Sequence, residues 1–182
     1  MPDLSAIDAE AKRQYELGCQ LLGFNDLAGA RKHFLKAIQI TPDAPKPYWG
    51  LGQTLFHQEQ PDIQEAIQAF GRVVELSPDW SEGHFCLGMA QEKQGQLRQA
   101  VHSYELAINL AADDARPRIA MGVCLTQLKD YPKAITELRR GIALKPSYVT
   151  SAHFFLADAL RKSGQIDAAR DEWRLLKRFS GR

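Results

Sequence analysis

Leucine–glycine pairs divide this chain at nearly even intervals. Leu17-Gly18, Leu51-Gly52, Leu87-Gly88 and the related Met121-Gly122 put their glycines 34, 36 and 34 residues apart. Twelve residues after the glycine comes an alanine in the first, third and fourth units (Ala30, Ala100, Ala134). In the second unit it arrives two residues late, as Ala66, which places a two-residue insertion around Gln60-Pro61. Four residues further on stands a large apolar side chain (Phe34, Phe70, Tyr104, Leu138), then a small one (Ala37, Val73, Ala107, Gly141). Pro42, Pro78 and Pro146 follow, with Ala112 in that place in the third unit. A fifth, weaker unit carries Leu156-Ala157, Gly164, Ala169 and Trp173. A period of this length dictates a repeat architecture, because one such unit cannot bury its apolar face without neighbours.

Within each unit two stretches show apolar residues at helical spacing. In the third these are His84-Phe85-Leu87-Gly88-Gln91 and Leu97-Ala100-Val101-Tyr104-Ile108. Small residues at Gly88 and Ala100 let the two helices of a pair approach closely, and the aromatic at Tyr104 fills the space between them. Asn25, Pro61, Gly95, Asp130 and Gly164 break the pattern inside pairs, and the repeating prolines break it between pairs. Pro45, Pro61 and Pro132 stand where helices are expected to begin, a position that tolerates the missing N–H. Ser5 followed by Asp8 resembles a helix start, so the first helix is expected to begin before the repeat does.

This pattern resembles the tetratricopeptide repeat (TPR), over nearly the whole chain from about Ala11. The resemblance implies an all-α fold, a right-handed α-solenoid of stacked antiparallel helix pairs (the TPR superhelix). It divides the chain into an N-terminal helical extension at 1–10 and repeats at 11–44, 45–80 (with the two-residue insertion), 81–114, 115–149 and 150–182. The last is expected to act as a C-terminal cap. Eight residues after the repeat alanine, Ile38, Val74, Ile108 and Ile142 give way to Lys177; directly after it, Ile67, Val101 and Ile135 give way to Arg170. Charge at the seam keeps a terminal unit soluble, so the array is expected to end here by design, with some apolar surface left at Leu176 and Phe179.

Composition excludes several function classes. With 23 basic and 22 acidic side chains, a formal charge of +1 argues against a broad nucleic-acid footprint. No apolar run reaches the ~18 residues of a membrane span, and residues 1–10 carry three acids and no apolar core of a signal peptide. Three cysteines (Cys19, Cys86, Cys124) are too few for a disulfide framework, so inert thiols in a reducing, cytoplasmic compartment are expected. None of the five histidines pairs with another His or a Cys at helical spacing, and there is no phosphate-cradling glycine loop or nucleophile elbow. His84 and His153 fall where the family usually packs Trp inside the pair, which makes them core residues. Glu59, Asp62 and Glu65 cluster on a solvated turn. The chain is therefore not expected to be an enzyme, and no cofactor or metal is implied.

The family geometry lines the concave face with the first helix of each pair. At repeat position 5 this presents Tyr15, Trp49, Phe85, Ile119 and Phe154, with Gln53, Met89 and Val123 at position 9 and Phe56 at position 12. Beside this apolar row runs a basic margin of Lys12, Lys46 and Arg116. The resemblance thus implies a protein or peptide ligand held by apolar anchors, with acidic flanking residues. Two or three anchors at roughly 1.5–3 kcal/mol each give micromolar affinity after association costs. The same row also serves inter-repeat packing, and the residues do not choose between the two. A carboxylate clamp of the heat-shock-chaperone type is disfavoured: its positions hold Tyr15, Cys19, Gly50, Glu82 and Cys86, or, one repeat later, Trp49, Gln53, Cys86, Arg116 and Ala120. Residues 161–182 carry seven basic and three acidic side chains, more in keeping with a solvated capping helix than with nucleic-acid binding. The alternatives to an adaptor are a self-associating homo-oligomeric scaffold and a regulatory or chaperone subunit of a larger machine.

Overall fold

The computed structural model describes residues 4–144 and 149–180, and these are entirely helix and turn. In chain order the helices are α1 (Leu4–Gly23), α2 (Leu27–Ile40), α3 (Pro45–Phe56), α4 (Ile63–Leu76) and α5 (Ser81–Lys93). They continue with α6 (Leu97–Leu110), α7 (Ala115–Gln127), α8 (Tyr131–Leu144), α9 (Val149–Lys162) and α10 (Ile166–Ser180). Two compact units contain them, one of α1–α5 ending at Gln94 and one of α6–α10 starting at Gly95. Within each, every helix packs against its sequence neighbours, and α1 also touches α3 as α7 touches α9.

The glycines set how near those helices come. A methyl group added at Gly18 would lie 2.7 Å from the Phe34 ring, one at Gly52 2.6 Å from the Phe70 ring, and one at Gly122 2.5 Å from Leu138. These distances are shorter than any real carbon contact, so each large side chain of a second helix rests on bare backbone of the first. Gly50, on the following first helix, meets the same Phe34 ring from the other side. Phe34 is thus held between two glycines of successive repeats and is fully buried, as are Phe70, Tyr104 and Leu138. The buried Thr54 and Thr126 hydroxyls donate to the Gly50 and Gly122 carbonyls at 2.8 Å, so they cost no unsatisfied polar group.

Helix starts follow their capping chemistry. The carboxylates of Asp26, Asp62 and Asp114 accept the N–H groups of Gly29 (2.9 Å), Glu65 (3.0 Å) and Arg116 (2.9 Å). Pro45 opens α3, and Pro132 is the second residue of α8. Pro61 does not open a helix: it precedes the cap Asp62, and α4 begins at Ile63. The insertion shows as a link of residues 57–62, against 24–26 in the first pair. Asn25 (φ 61°), Gly95 (81°), Lys129 (66°) and Gly164 (83°) carry the left-handed turn between helices. In the fourth repeat this residue is Lys129, one before the expected breaker Asp130, which acts as the cap toward the Lys133 N–H at 3.4 Å.

α1 runs unbroken from Leu4 through the start of the first repeat. Leu176 does not leave apolar surface as expected; it is buried on α10, which packs on α9. Its repeat equivalents Ala37 and Val73 are buried too, so this position faces inward in the terminal pair as well. Pro146 and the Phe179 side chain lie outside the described residues.

Gly50→Ala is expected to cost about 1–3 kcal/mol in urea unfolding, because the new methyl overpacks Phe34; Gly50→Ala with Phe34→Leu recovers part of the loss. Lys129→Gly is expected to raise stability by about 0.5–1 kcal/mol, relieving a left-handed lysine against a modest gain in unfolded-chain entropy. Far-ultraviolet circular dichroism through the same titrations checks both.

Candidate partner-binding site

In the first unit the site residues come from three first helices. Lys12 and Tyr15 lie on α1, Lys46, Trp49, Gln53 and Phe56 on α3, and Phe85 and Met89 on α5. Lys12 and Lys46 are exposed, and the other six are half-buried. In the second unit α7 carries Arg116, Ile119 and Val123, all half-buried, and α9 carries Phe154, which is exposed.

The half-buried rings have contacts on their inner sides. Tyr15 meets Phe34 with centroids 6.0 Å apart, and Trp49 meets Trp80 at 6.1 Å. Tyr15, Trp49 and Phe56 all pack against the core of this unit. Burial, with Cys19 adding to it, pushes the Tyr15 hydroxyl up to about 12, so it stays protonated as a donor at any ordinary pH. The Trp49 indole N–H is buried without an acceptor among the described residues. Gln53 is tied down: its amide donates to Cys86 Sγ at 3.2 Å and its carbonyl accepts from His57 Nε2 at 3.2 Å. The Lys93 ammonium stands 4.5 Å from the centroid of the Phe56 ring, a cation–π contact that closes that end of α3.

Three of the expected residues converge. Lys12, Tyr15 and Lys46 line a hollow of about 410 Å³ between α1 and the start of α3, with Asp8, Glu16 and Thr41 completing its wall. The margin is less basic than the spacing suggests. Lys12 pairs with Glu16, one helical turn on, at 3.9 Å. Arg116 forks onto the α7 cap Asp114, with Nε 3.0 Å and Nη2 2.7 Å from Oδ2. Its charge is spent on its own helix start, as its place two residues after the cap dictates. Lys46 has no ion-pair partner among the described residues.

The second unit holds a hollow of about 430 Å³ that the repeat reading misses, floored by Val101, Met121 and Leu125 and rimmed by Glu105, Lys133 and Arg140. Between α2 and α4 the corresponding place is bridged by Arg31, which holds Glu65 through two hydrogen bonds of 2.7 and 2.9 Å. Val101 and Lys133 occupy those repeat positions here and cannot form that bridge. Comparing those two positions between repeats was the available signal. Close by, the buried Glu137 carboxylate takes Arg118 at 2.8 Å and Arg140 at 2.6 Å.

His84 is buried, and its Nε2 donates to the Pro78 carbonyl at 2.9 Å. His153 does more than pack: its Nδ1 pairs with the Glu172 carboxylate, joining α9 to α10. Cys86 and Cys124 are buried, and Cys19 is half-buried. Among the described residues no group of three His, Cys, Asp or Glu side chains is placed to hold a metal, and no helix is long and apolar enough to cross a membrane.

Asp158, at position 9 of the last repeat, is held below the usual carboxylate range. Its burial opposes ionisation, but hydrogen bonds from Lys162 and Arg161 outweigh that. A depressed folded-state value stabilises the fold above the unfolded pKa of ~3.9 and loses that contribution as pH falls through the folded one. Asp158→Asn is therefore expected to cost less than about 1 kcal/mol at pH 7, since the partners are exposed. At pH 2 the variant and the parent should unfold at the same urea concentration.

The model of the tetratricopeptide repeat matches residues 15–79 and 87–149. Among solved structures, the backbone is similar to MamA 41-end from Desulfovibrio magneticus RS-1, with a TM-score of 0.87 at 19% identity over 94% of this chain and 95% of that one. It is also similar to YrrB, described as a TPR protein with an unusual peptide-binding site, with a TM-score of 0.77 at 19% identity over 87% of this chain and 80% of that one. The anaphase-promoting complex subunit 3 of Schizosaccharomyces pombe is 26% identical over 133 residues, which is 73% of this chain and 20% of that protein. The chain thus spans about a fifth of that curated relative's length.

Proposed function

This chain belongs to the tetratricopeptide repeat family, and from that premise we propose that it is a non-catalytic protein–protein interaction module whose first-helix face receives a peptide or partner helix. The observation that carries the reading is the hollow between α1 and α3, where Lys12, Tyr15 and Lys46 from successive repeats meet. An extended or helical segment lying there has an apolar wall in Tyr15 and, in Lys46, a cation with no ion-pair partner among the described residues, although Asp8 and Glu16 line the same hollow. Trp49, Phe85 and Met89 continue the apolar surface along α3 and α5. Ile119, Val123 and Phe154 are the corresponding residues of the second unit.

Recognition of this kind draws its affinity from buried apolar anchors and its orientation from charge. An acidic residue flanking the anchor meets Lys46, while Lys12 and Arg116 are already shared with Glu16 and Asp114. Support for a protein partner also comes from the relatives, one of which is a subunit of a complex and another of which is described by its peptide-binding site. The Trp49 ring leans on Trp80 and the core, so its truncation tests packing and binding together.

Peptides selected from a displayed random library against the pure protein test this. The expected result is enrichment of acidic sequences with one or two large apolar anchors, bound with micromolar affinity. Lys46→Glu, at an exposed side chain, should weaken them several-fold at low salt, and Trp49→Ala with Phe85→Ala should abolish binding while the helical circular dichroism persists. Selected peptides that bind all these variants equally would place recognition elsewhere, and loss of helix in the double variant would assign both rings to packing.

A further inference from the structure

The hollow of about 430 Å³ in the second unit stands where the first unit makes a bridge. There Arg31 of α2 spans to Glu65 of α4 with hydrogen bonds of 2.7 and 2.9 Å. Val101 holds the repeat position of Arg31 in the second unit, and Lys133 that of Glu65. The long side chain that closes the place in the first unit is therefore missing from α6, and the charge on the facing wall is reversed. Met121 and Leu125, both buried, remain as an apolar floor between α6 and α8.

Charge is unevenly spread along this hollow. Arg98, Val101 and Glu105 of α6 are three and four residues apart and share one stripe, as do Lys133, Glu137 and Arg140 of α8. Both helices begin at the end where α7 turns into α8. Arg98 and Lys133 stand at that end, exposed, together with Lys129 of the turn itself. Arg98 and Lys129 have no ion-pair partner among the described residues. Lys133 pairs with Asp130 at 3.7 Å, yet its side chain is still 75% exposed, and a pair so open holds its ammonium weakly. Three cations thus share one acid at the turn end. At the other end Glu105 and Arg140 carry opposite charges, and the buried Glu137 is already shared by Arg118 and Arg140. We propose that the hollow docks an acidic peptide segment of a partner protein, one aliphatic side chain on the Met121–Leu125 floor and a neighbouring glutamate between Arg98 and Lys133. That carboxylate completes a bridge of the reverse polarity to Arg31–Glu65. The floor supplies the anchor site and the two cations choose the acid beside it; a basic segment would bring its charge to the same cations. This site lies within the second unit and shares no residue with the first-helix groove.

The probes are the capped peptide acetyl-Ala-Leu-Glu-Ala-amide and its counterpart with Gln in place of Glu, titrated onto the intact, nitrogen-15-labelled protein and followed by NMR. The Glu peptide is expected to shift the backbone amides of α6 and α8 around Val101 and Lys133, with a Kd of about 1 mM, as one small anchor and one exposed charge contact allow. The Gln peptide should bind roughly threefold or more weakly at low salt, the gap closing as salt screens it. Lys133→Glu, on an exposed side chain, should remove or invert that preference without altering the fold. Val101→Arg combined with Lys133→Glu installs the bridge of the first unit, and should abolish the shifts from both peptides while the helical circular dichroism persists. Trp49→Ala should leave both titrations unchanged. Silence of α6 and α8, equal binding of the two peptides, a preference that survives Lys133→Glu, or binding that survives the installed bridge would overturn the proposal. Shifts lost in Trp49→Ala would overturn it by placing the peptides in the groove, and light scattering that shows a dimer dissolved by Lys133→Glu would overturn it in favour of a second copy.

Discussion

The close approach of backbone to ring at the repeat glycines governs everything else in this chain. A helix that presents Gly18 or Gly52 lets an aromatic of its partner settle directly on its backbone, gaining dispersion contacts over a full ring face at short range. Gly50 then brings the next repeat down on the other side of Phe34, so one side chain fixes both the pairing of helices and the stacking of pairs. First-helix residues three positions before the repeat glycines, Tyr15, Trp49 and Phe85, stand half-buried, neither sealed in nor free. In the proposed recognition the packed inner edges of Tyr15 and Trp49 stay in place and their outer edges meet another chain.

Charge is arranged by a shorter-range logic. Several cations in the described residues meet an acid three or four residues away, as Lys12 meets Glu16 and Arg161 meets Asp158. Such exposed pairs contribute little stability, but they remove cations from the surface a partner would see. What is left over is informative by contrast. Lys46 stands at the edge of the α1–α3 hollow with no ion-pair partner among the described residues, although Asp8 and Glu16 share its wall. In the proposed reading it is Lys46, and not the near-zero net charge, that sets which flanking residue the groove prefers.

Much of this was legible from spacing alone, because a repeat prints the same contact several times. Gly18 and Gly122 stand 16 residues before Phe34 and Leu138, and Gly52 stands 18 before Phe70 because of the insertion; the structure puts each pair in contact. The helix breaks were legible at Asn25, Gly95 and Gly164, which carry the left-handed turns, whereas the caps Asp26 and Asp62 went unread, Asp62 as an acid on a solvated turn. The break at Lys129 was misread by one residue, since nothing in a lysine announces a left-handed backbone. Pro61 was misplaced because the cap that follows it decides where α4 starts. Side-chain partnerships were not legible: whether Arg116 faces a ligand or folds back on Asp114 depends on rotamers, which the repeat register does not specify. The hollow of α6–α8 escaped for the opposite reason. It arises from what Val101 and Lys133 fail to do, and an absent bridge leaves no motif. Leu176 looked exposed at the end of the array, yet it faces the partner helix of its own pair.

The central claim is that the half-buried first-helix residues of the first unit meet a partner with their outer edges. Nitrogen-15 correlated NMR during titration with an acidic, anchor-bearing peptide tests it most directly, because the chain's three tryptophan indoles report separately on three places. The account predicts that the Trp49 indole signal and the backbone amides around Lys12, Tyr15 and Lys46 shift together, while the amides of α2 and α4 that face away stay still. Shifts confined to α2 and α4, with Trp49 and the α1–α3 hollow silent, would contradict it.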